Sequence, residues 1–464
     1  MAEIETDYLV VGAGTSGMAF VDELIAHADA DVVIIDRRHD PGGHWNDAYP
    51  FVRLHQPAAT YGVSSTPLGR ETIDTTGPNE GFYERANGSE IVAYYRRVLD
   101  DVLLPSGRVH FFGGCDYVGD WSEQHAFVSG LTGQATTVRV RRAFVDATFL
   151  ETSVPANHTP SFTIDDGARC IPVGELVDVA DAPDEYTILG AGKTAMDAAS
   201  WLLDNGVDPG DIQWVRPRDA WLTPRAAFQP LDLVAGSFAR LAASVEAMAL
   251  ATDVDDLFHR LEDGGEMLRL DRSVWPSMYR GPMVSDAEHQ ALTSIERVVR
   301  LGRVRRVSSA RIELDGGALP TTGAVVVDCT AYGFRGGAIR PMFEAGRITP
   351  QSVMGGFTSF NAALVGYVEA TRDDLDEKNR LCAPSGLPDR PIDWVRAYRG
   401  GLLANAMHGA EPDLAAWIDG CRLNTLRGLS SAFADPAMGP ALTTMGEHLD
   451  AALANADRLL ATSA

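Results

Sequence analysis

The sequence predicts an α/β protein with two Rossmann-like dinucleotide-binding domains, the second inserted into the first, together with a helical insertion and a helical C-terminal part. Three observations carry this prediction. An apolar strand, a glycine-rich turn and an amphipathic helix follow one another at the N-terminus; the same succession returns near residue 185; and 464 residues are too many for one ordinary core.

In the first unit, the apolar run DYLVV (7–11) leads into GAGTSG and then into the helical pattern MAFVDELIAHA. Gly12 allows the tight turn, Gly14 lets backbone approach a pyrophosphate, and Gly17 permits close packing of helix on strand. The next strand, DVVIID, ends at Asp36, the spacing expected of a carboxylate that binds the hydroxyls of an adenosine ribose, with Arg37 beside it.

The second unit is EYTILGAGKTAMDAASWLLDNG, with Gly190, Gly192 and Ala195 in the three glycine positions and Lys193 and Thr194 between them. Its GKT is not a P-loop, because Thr187 stands where that motif needs glycine. The following strand, DIQWV, runs into Arg216 and Arg218 where the first unit has Asp36, and arginine there suits a 2′-phosphate. NADPH is therefore expected at the second site in preference to NADH. Two dinucleotide domains in one chain suggest electron transfer between dinucleotides, with FAD at the first site.

Composition narrows the partners. A formal charge of −25 opposes binding to nucleic acid and to anionic membrane surfaces. No apolar run is expected to reach the roughly 20 residues that span a bilayer, and a cytoplasmic protein is expected. The five cysteines are scattered singly, without Cys-x-x-Cys or metal-ligand spacing, so neither a redox dithiol nor a metal site is expected.

Behind Asp36 stands GGHWNDAYPFVRLHQ (42–56), and here the chain resembles the class B flavoprotein monooxygenases, the flavin-containing and Baeyer–Villiger enzymes. Gly42, Gly43 and Trp45 match that group's Gly-Gly-x-Trp loop; Tyr49, Pro50 and Arg53 match the segment that follows, and His55 falls where the group has an active-site Asp or Asn. The resemblance implies FAD and NADPH as cofactors, and reduced flavin that reacts with O2 at C4a and oxygenates a small organic substrate. It places Trp45 against the isoalloxazine and assigns catalytic roles to Arg53, His55 and Gln56, with His55 exchanging protons near neutral pH. It also places the N-terminus of a helix, capped by Thr358 or Ser359, at the flavin pyrimidine. AVVVDCTAYGF (324–334) and RRAFVDATFLE (141–151) look like the strands that carry the chain between the two domains.

One departure stands against these matches. The family's Phe-x-Gly-x-x-x-His fingerprint is missing before the second glycine turn, where the chain reads SVPANHTPSF around His158. Because that fingerprint accompanies oxygenation, a flavin reductase or NADPH oxidase without oxygen insertion stays open, as does a non-catalytic FAD-binding scaffold. The expected division is an FAD domain over 1–184 and 319–384, an NADP domain over 185–318 with a helical insertion at 225–300, and a helical part over 385–464. That last part is expected to cover the FAD domain or to build a homodimer contact.

Overall fold

A computed structural model describes residues 2–121, 124–150, 152–334, 338–354 and 357–462. Gly355 and Gly356, which open the segment before the helix expected at the flavin, lie outside them.

Strands β1 (Ala2–Val11), β2 (Val32–Asp36), β3 (Val109–Gly113) and β6 (Ala135–Asp146) form a parallel sheet in the order β6-β1-β2-β3. Such a sheet is covered on both faces, which is why its strands read as apolar runs. Tyr8, Val10, Val32 and Ile34 pack under α1 (Thr15–His27) and the later helix Thr358–Thr371. Leu9, Val11, Val33 and Ile35 face the opposite side, covered by the antiparallel meander of β4 (Cys115–Tyr117), β5 (His125–Ser129) and β6. Helix α2 (Gly88–Val98) starts at a capping box in which Asn87 accepts from the Glu90 amide and Glu90 accepts from the Asn87 amide.

A second parallel sheet has the order Val298–Val299, Ile212–Val215, Glu185–Leu189, Ala324–Asp328, Cys170–Pro172. The strand Ala324–Asp328, expected within the return segment, is thus a central strand here, paired residue for residue with Glu185–Leu189. Cys170–Pro172 joins the same sheet from the other side of the expected boundary. Both are short strands whose membership is decided by pairing partners distant in sequence.

Helix α3 (Lys193–Asp204) follows the second glycine turn. The insertion holds α4 (Val234–Leu250), α5 (Val254–Asp263) and α6 (Asp286–Thr293), but SMYRGPMV contains a strand, Met278–Val284, paired in parallel with Ala220–Pro224. After α7 (Thr358–Thr371) come α8 (Leu375–Leu381), α9 (Pro391–Gly409), α10 (Pro412–Gly420), α11 (Leu429–Ala432) and α12 (Gly439–Thr462). This part divides. Trp417 of α10 stacks on Tyr367 of α7, covering the first domain. Helices α9 and α12 instead share a core with α4 and α5, built on Trp221, Phe258, Trp394 and Leu459. Contrary to the expectation from the sequence, the stretch Leu231–Leu250, with mean hydropathy 1.4, is long and apolar enough to cross a membrane; in the fold it packs along α12.

Candidate functional site

The two glycine turns open into one cavity of about 1890 Å³. At the first turn Gly12 has φ +105, which only glycine adopts without strain, and a Cβ on Gly17 would lie 1.9 Å from the Gly12 carbonyl oxygen. Gly42, also at positive φ, donates its amide to the Ala13 carbonyl, and a Cβ on Gly43 would lie 2.9 Å from Gly14 Cα. The Gly-Gly loop is therefore seated directly on the glycine turn. Asp36 closes the set from the end of β2: Oδ2 accepts from the Ala13 amide at 2.7 Å and Oδ1 from the Arg38 amide at 2.8 Å. Burial pushes the Asp36 carboxyl up, against the pull of these amides. Arg37 lines the cavity beside it.

The second turn repeats this construction. Gly190 has φ +126, and a Cβ there would lie 2.6 Å from the Cys329 carbonyl oxygen; Gly192 has open space in front of it, and Ala195 is buried behind. Each turn is braced by an Asp-x-Thr turn from the neighbouring strand. Asp146 accepts from the Thr148 amide and hydroxyl, and Asp328 accepts from the Thr330 amide and hydroxyl. Neither α1 nor α3 has a side chain capping its N-terminus, and Thr15, Ser16, Lys193 and Thr194 of those first turns line the cavity. Free amides and the positive end of the helix dipole thus face the space in front of each turn, as an anion-binding site requires.

Other expected residues fall differently. Trp45 lines the cavity and donates from Nε1 to the Tyr61 hydroxyl at 2.7 Å; that hydroxyl lies 2.5 Å from Thr15 Oγ1, which also accepts from Tyr95 at 2.9 Å. Thr15 and Tyr61 were not singled out in the sequence, and no spacing announces this chain of hydroxyls. Arg53, His55 and Gln56 all line the cavity. Arg53 donates to the Arg85 carbonyl, and Gln56 donates to the carbonyl and hydroxyl of Thr60. Burial, reinforced by Lys193, depresses the His55 pKa to about 3, which weighs against the proton exchange near neutral pH expected of it.

Tyr49, matched in the sequence to the segment behind the Gly-Gly loop, crosses to the second domain. Its hydroxyl donates to Asp197 on α3 at 2.7 Å, and Phe51 stacks on Trp201 of the same helix at a centroid distance of 5.0 Å. Asp197 in turn holds Lys193. Of the two arginines placed at a 2′-phosphate, Arg218 lines the cavity and forms a two-nitrogen ion pair with Asp389 at 2.9 and 3.0 Å. Arg216 does not line it: the side chain is buried against the Trp214 ring and lies 3.5 Å from Asp219. The residue that caps α7 is Phe357, not Thr358 or Ser359, and it makes no side-chain capping bond. Thr358 lines the cavity, while Ser359 is buried and accepts from the Gly62 amide. His158, in place of the missing fingerprint, lies 3.3 Å from the Thr330 hydroxyl.

Comparison with known proteins agrees with this geometry. The family model of the NAD(P)-binding Rossmann-like domain matches residues 10–66. The structure of OTEMO in complex with FAD and NADP superposes with a TM-score of 0.51 at 13% identity, over 82% of this chain and 84% of that one. A flavin-containing monooxygenase from Stenotrophomonas maltophilia gives 0.46 at 15% identity, over 82% and 99%. The fold is that of the class B flavoprotein monooxygenase-like proteins, with two dinucleotide-binding domains. An uncharacterised protein of Mycobacterium tuberculosis (strain ATCC 25618 / H37Rv) is 44% identical over 428 residues, 92% of this chain and 79% of that one. The chain belongs to the family of that mycobacterial protein.

Proposed function

We propose that the protein is an FAD-dependent, NADPH-using oxidoreductase, and that its reaction is the monooxygenation of a small organic substrate by O2. The observation that carries this reading is the pair of like-built glycine turns, each with an uncapped helix N-terminus, opening into one cavity. Two dinucleotides held there would face each other, and the fold is shared with OTEMO, whose structure contains FAD and NADP.

The residues present fit those groups. Gly12, Gly14 and the free amides of α1 would hold the FAD pyrophosphate, Asp36 its ribose, and Gly43 and Trp45 the part nearer the ring. Gly190, Gly192 and the first turn of α3 would hold the pyrophosphate of NADPH, with Lys193, Thr194 and Arg218 beside it. When bound, the flavin supplies the redox chemistry, accepting hydride and reacting with O2. The chain's own task is position and exclusion of water: Tyr49 and Phe51 fix one domain against the other, and Arg53, neutral His55 and Gln56 present polar edges at the cavity wall.

A second reading, an NADPH oxidase or flavin reductase, is favoured by the sequence around His158, where the oxygenation fingerprint is missing. One experiment separates the two. Purified protein is reduced anaerobically with NADPH, returned to air with candidate substrates, and assayed for peroxide per NADPH consumed. Oxygenated product with little peroxide supports monooxygenation. Stoichiometric peroxide with every substrate supports the oxidase reading, and failure of NADPH to bleach the flavin would sink both.

A further inference from the structure

The cavity extends beyond the two glycine turns into a lobe between α4 and α9. Arg240, Leu241 and Ser244 line it from one face of α4, and Trp394, Tyr398 and Leu402 line it from one face of α9. The two helices are tied at this point, because the Tyr398 hydroxyl donates to the Leu241 carbonyl at 2.9 Å. Met267 adds a further apolar wall. No residue of either glycine turn belongs to this lobe, so its lining is free to select a third molecule.

The lobe carries an ion pair, the Arg240 guanidinium with the Glu266 carboxylate. Arg240 uses a single nitrogen for all its hydrogen bonds: Nη1 donates to the Gly265 carbonyl at 2.9 Å and to Glu266 Oε1 at 3.3 Å. The hydrogen bonds and the ion pair of this side chain with the described residues all run through Nη1, leaving Nε and Nη2 open, and the side chain is 33% exposed. These two nitrogens form the planar edge that receives a carboxylate through two parallel hydrogen bonds. Elsewhere in this protein the same edge is filled in that way, as where Arg300 Nε and Nη2 take both oxygens of Asp219. Glu266 sits at the Nη1 corner, where it holds the guanidinium in place without covering that edge.

We propose that this lobe binds the organic substrate and that the substrate is a carboxylate with an apolar body, its carboxylate on the Nε–Nη2 edge of Arg240 and its apolar body against Met267, Trp394 and Leu402. The assignment as a substrate site rests on the oxidoreductase reading, whereas the binding itself does not. The test is calorimetric titration of the purified protein with 3-phenylpropanoate, 3-phenylpropanamide and 3-phenylpropanol. A charge-assisted pair of hydrogen bonds predicts that the carboxylate binds about tenfold or more tightly than the amide or alcohol. Arg240→Gln should abolish this preference, and Arg240→Lys should keep only part of it. Ala397→Phe, which fills the lobe from α9, should weaken all three ligands.

Equal affinities for the three probes, no binding by any of them, or a preference untouched by Arg240→Gln would each overturn the proposal. FAD content and anaerobic reduction by NADPH are read on the same samples. Carboxylate preference in a protein that holds no FAD would sink the oxidoreductase reading and leave the binding site standing. Normal flavin reduction with no carboxylate preference would do the reverse.

Discussion

Tyr49 and Asp197 join the two dinucleotide domains through a partly buried hydrogen bond of 2.7 Å, from a loop behind the first glycine turn to the helix that starts at the second. Burial, reinforced by Asp197, pushes the Tyr49 hydroxyl well above its ordinary range, so it remains a donor at every working pH. Tyr49→Phe leaves Asp197 with Lys193 but without the phenol, at a cost of about 1–3 kcal/mol. The expected result is a lower thermal midpoint and slower bleaching of the flavin by NADPH, at unchanged FAD content. A variant with both the wild-type midpoint and the wild-type bleaching rate would show that this bond does not set the domain geometry.

The glycine turns predict opposite outcomes for two Gly→Ala changes. At Gly17 the new methyl would meet the Gly12 carbonyl oxygen at 1.9 Å, so α1 cannot keep its seat on β1, and the variant is expected to lose FAD on purification. At Gly192 φ is −88 and nothing lies within 4 Å, so Gly192→Ala should fold and keep its FAD. Its methyl would stand where a pyrophosphate approaches the backbone, and the KM for NADPH should rise severalfold. Loss of FAD from Gly192→Ala, measured by absorbance of the purified protein, would contradict the assignment of the two turns.

These turns were legible in the sequence because a strand, a glycine turn and a helix are local, and the positive φ of Gly12 and Gly190 belongs to the turn itself, although the carbonyl that crowds Gly190 comes from distant Cys329. The placement of Arg216 was not. Successive residues at a strand end point in different directions, and Trp214, which covers the Arg216 guanidinium, was also part of the motif-bearing strand. The roles of Tyr49, Thr15 and Arg240 depend on partners far along the chain, at Asp197, Tyr61 and Glu266, or in the case of Arg240 on an edge left open in space. Only the pairing of Lys193 with Asp197, one helical turn apart, carries a local signal that could have been read. The α7 cap was misplaced by one or two residues because Phe357, with no polar side chain, occupies the position that Ser and Thr usually mark.

His55 predicts a dependence of stability on pH. Its folded pKa, about 3, lies below its ordinary 6.5, so in the acid range the unfolded chain takes up a proton that the folded chain refuses. The stability this histidine permits is complete above pH 6.5 and is lost progressively as pH falls toward 3. His55→Gln should therefore flatten the pH dependence of the urea midpoint between pH 6.5 and 4. A ring-proton titration of His55 with a midpoint near 6.5 in the folded protein would refute this.

Glu288 lies between two buried guanidiniums and belongs to the same contact between domains. Arg85, from the segment before α2, donates to Oε1 at 3.0 Å, and Arg225, only 1% exposed, donates to Oε2 at 2.5 Å. Burial works to raise the Glu288 carboxyl, but Lys193, Arg225 and Arg85 together hold its pKa down to about 2. Glu288→Gln keeps the shape and removes the charge, leaving Arg85 and Arg225 buried without a counter-ion. Breaking a buried pair in this way costs about 3–5 kcal/mol, far more than the intact cluster contributes over an apolar replacement. The pH profile identifies the cause. A carboxylate whose pKa falls from 4.5 to about 2 on folding contributes stability that is present above 4.5 and lost as pH falls through 2. The gap in stability between the wild type and Glu288→Gln should therefore be widest near neutral pH and close as pH approaches 2. A gap that stays constant across that range would mean that the variant is destabilised by altered packing around the amide, and that the charge of Glu288 does not hold the two arginines.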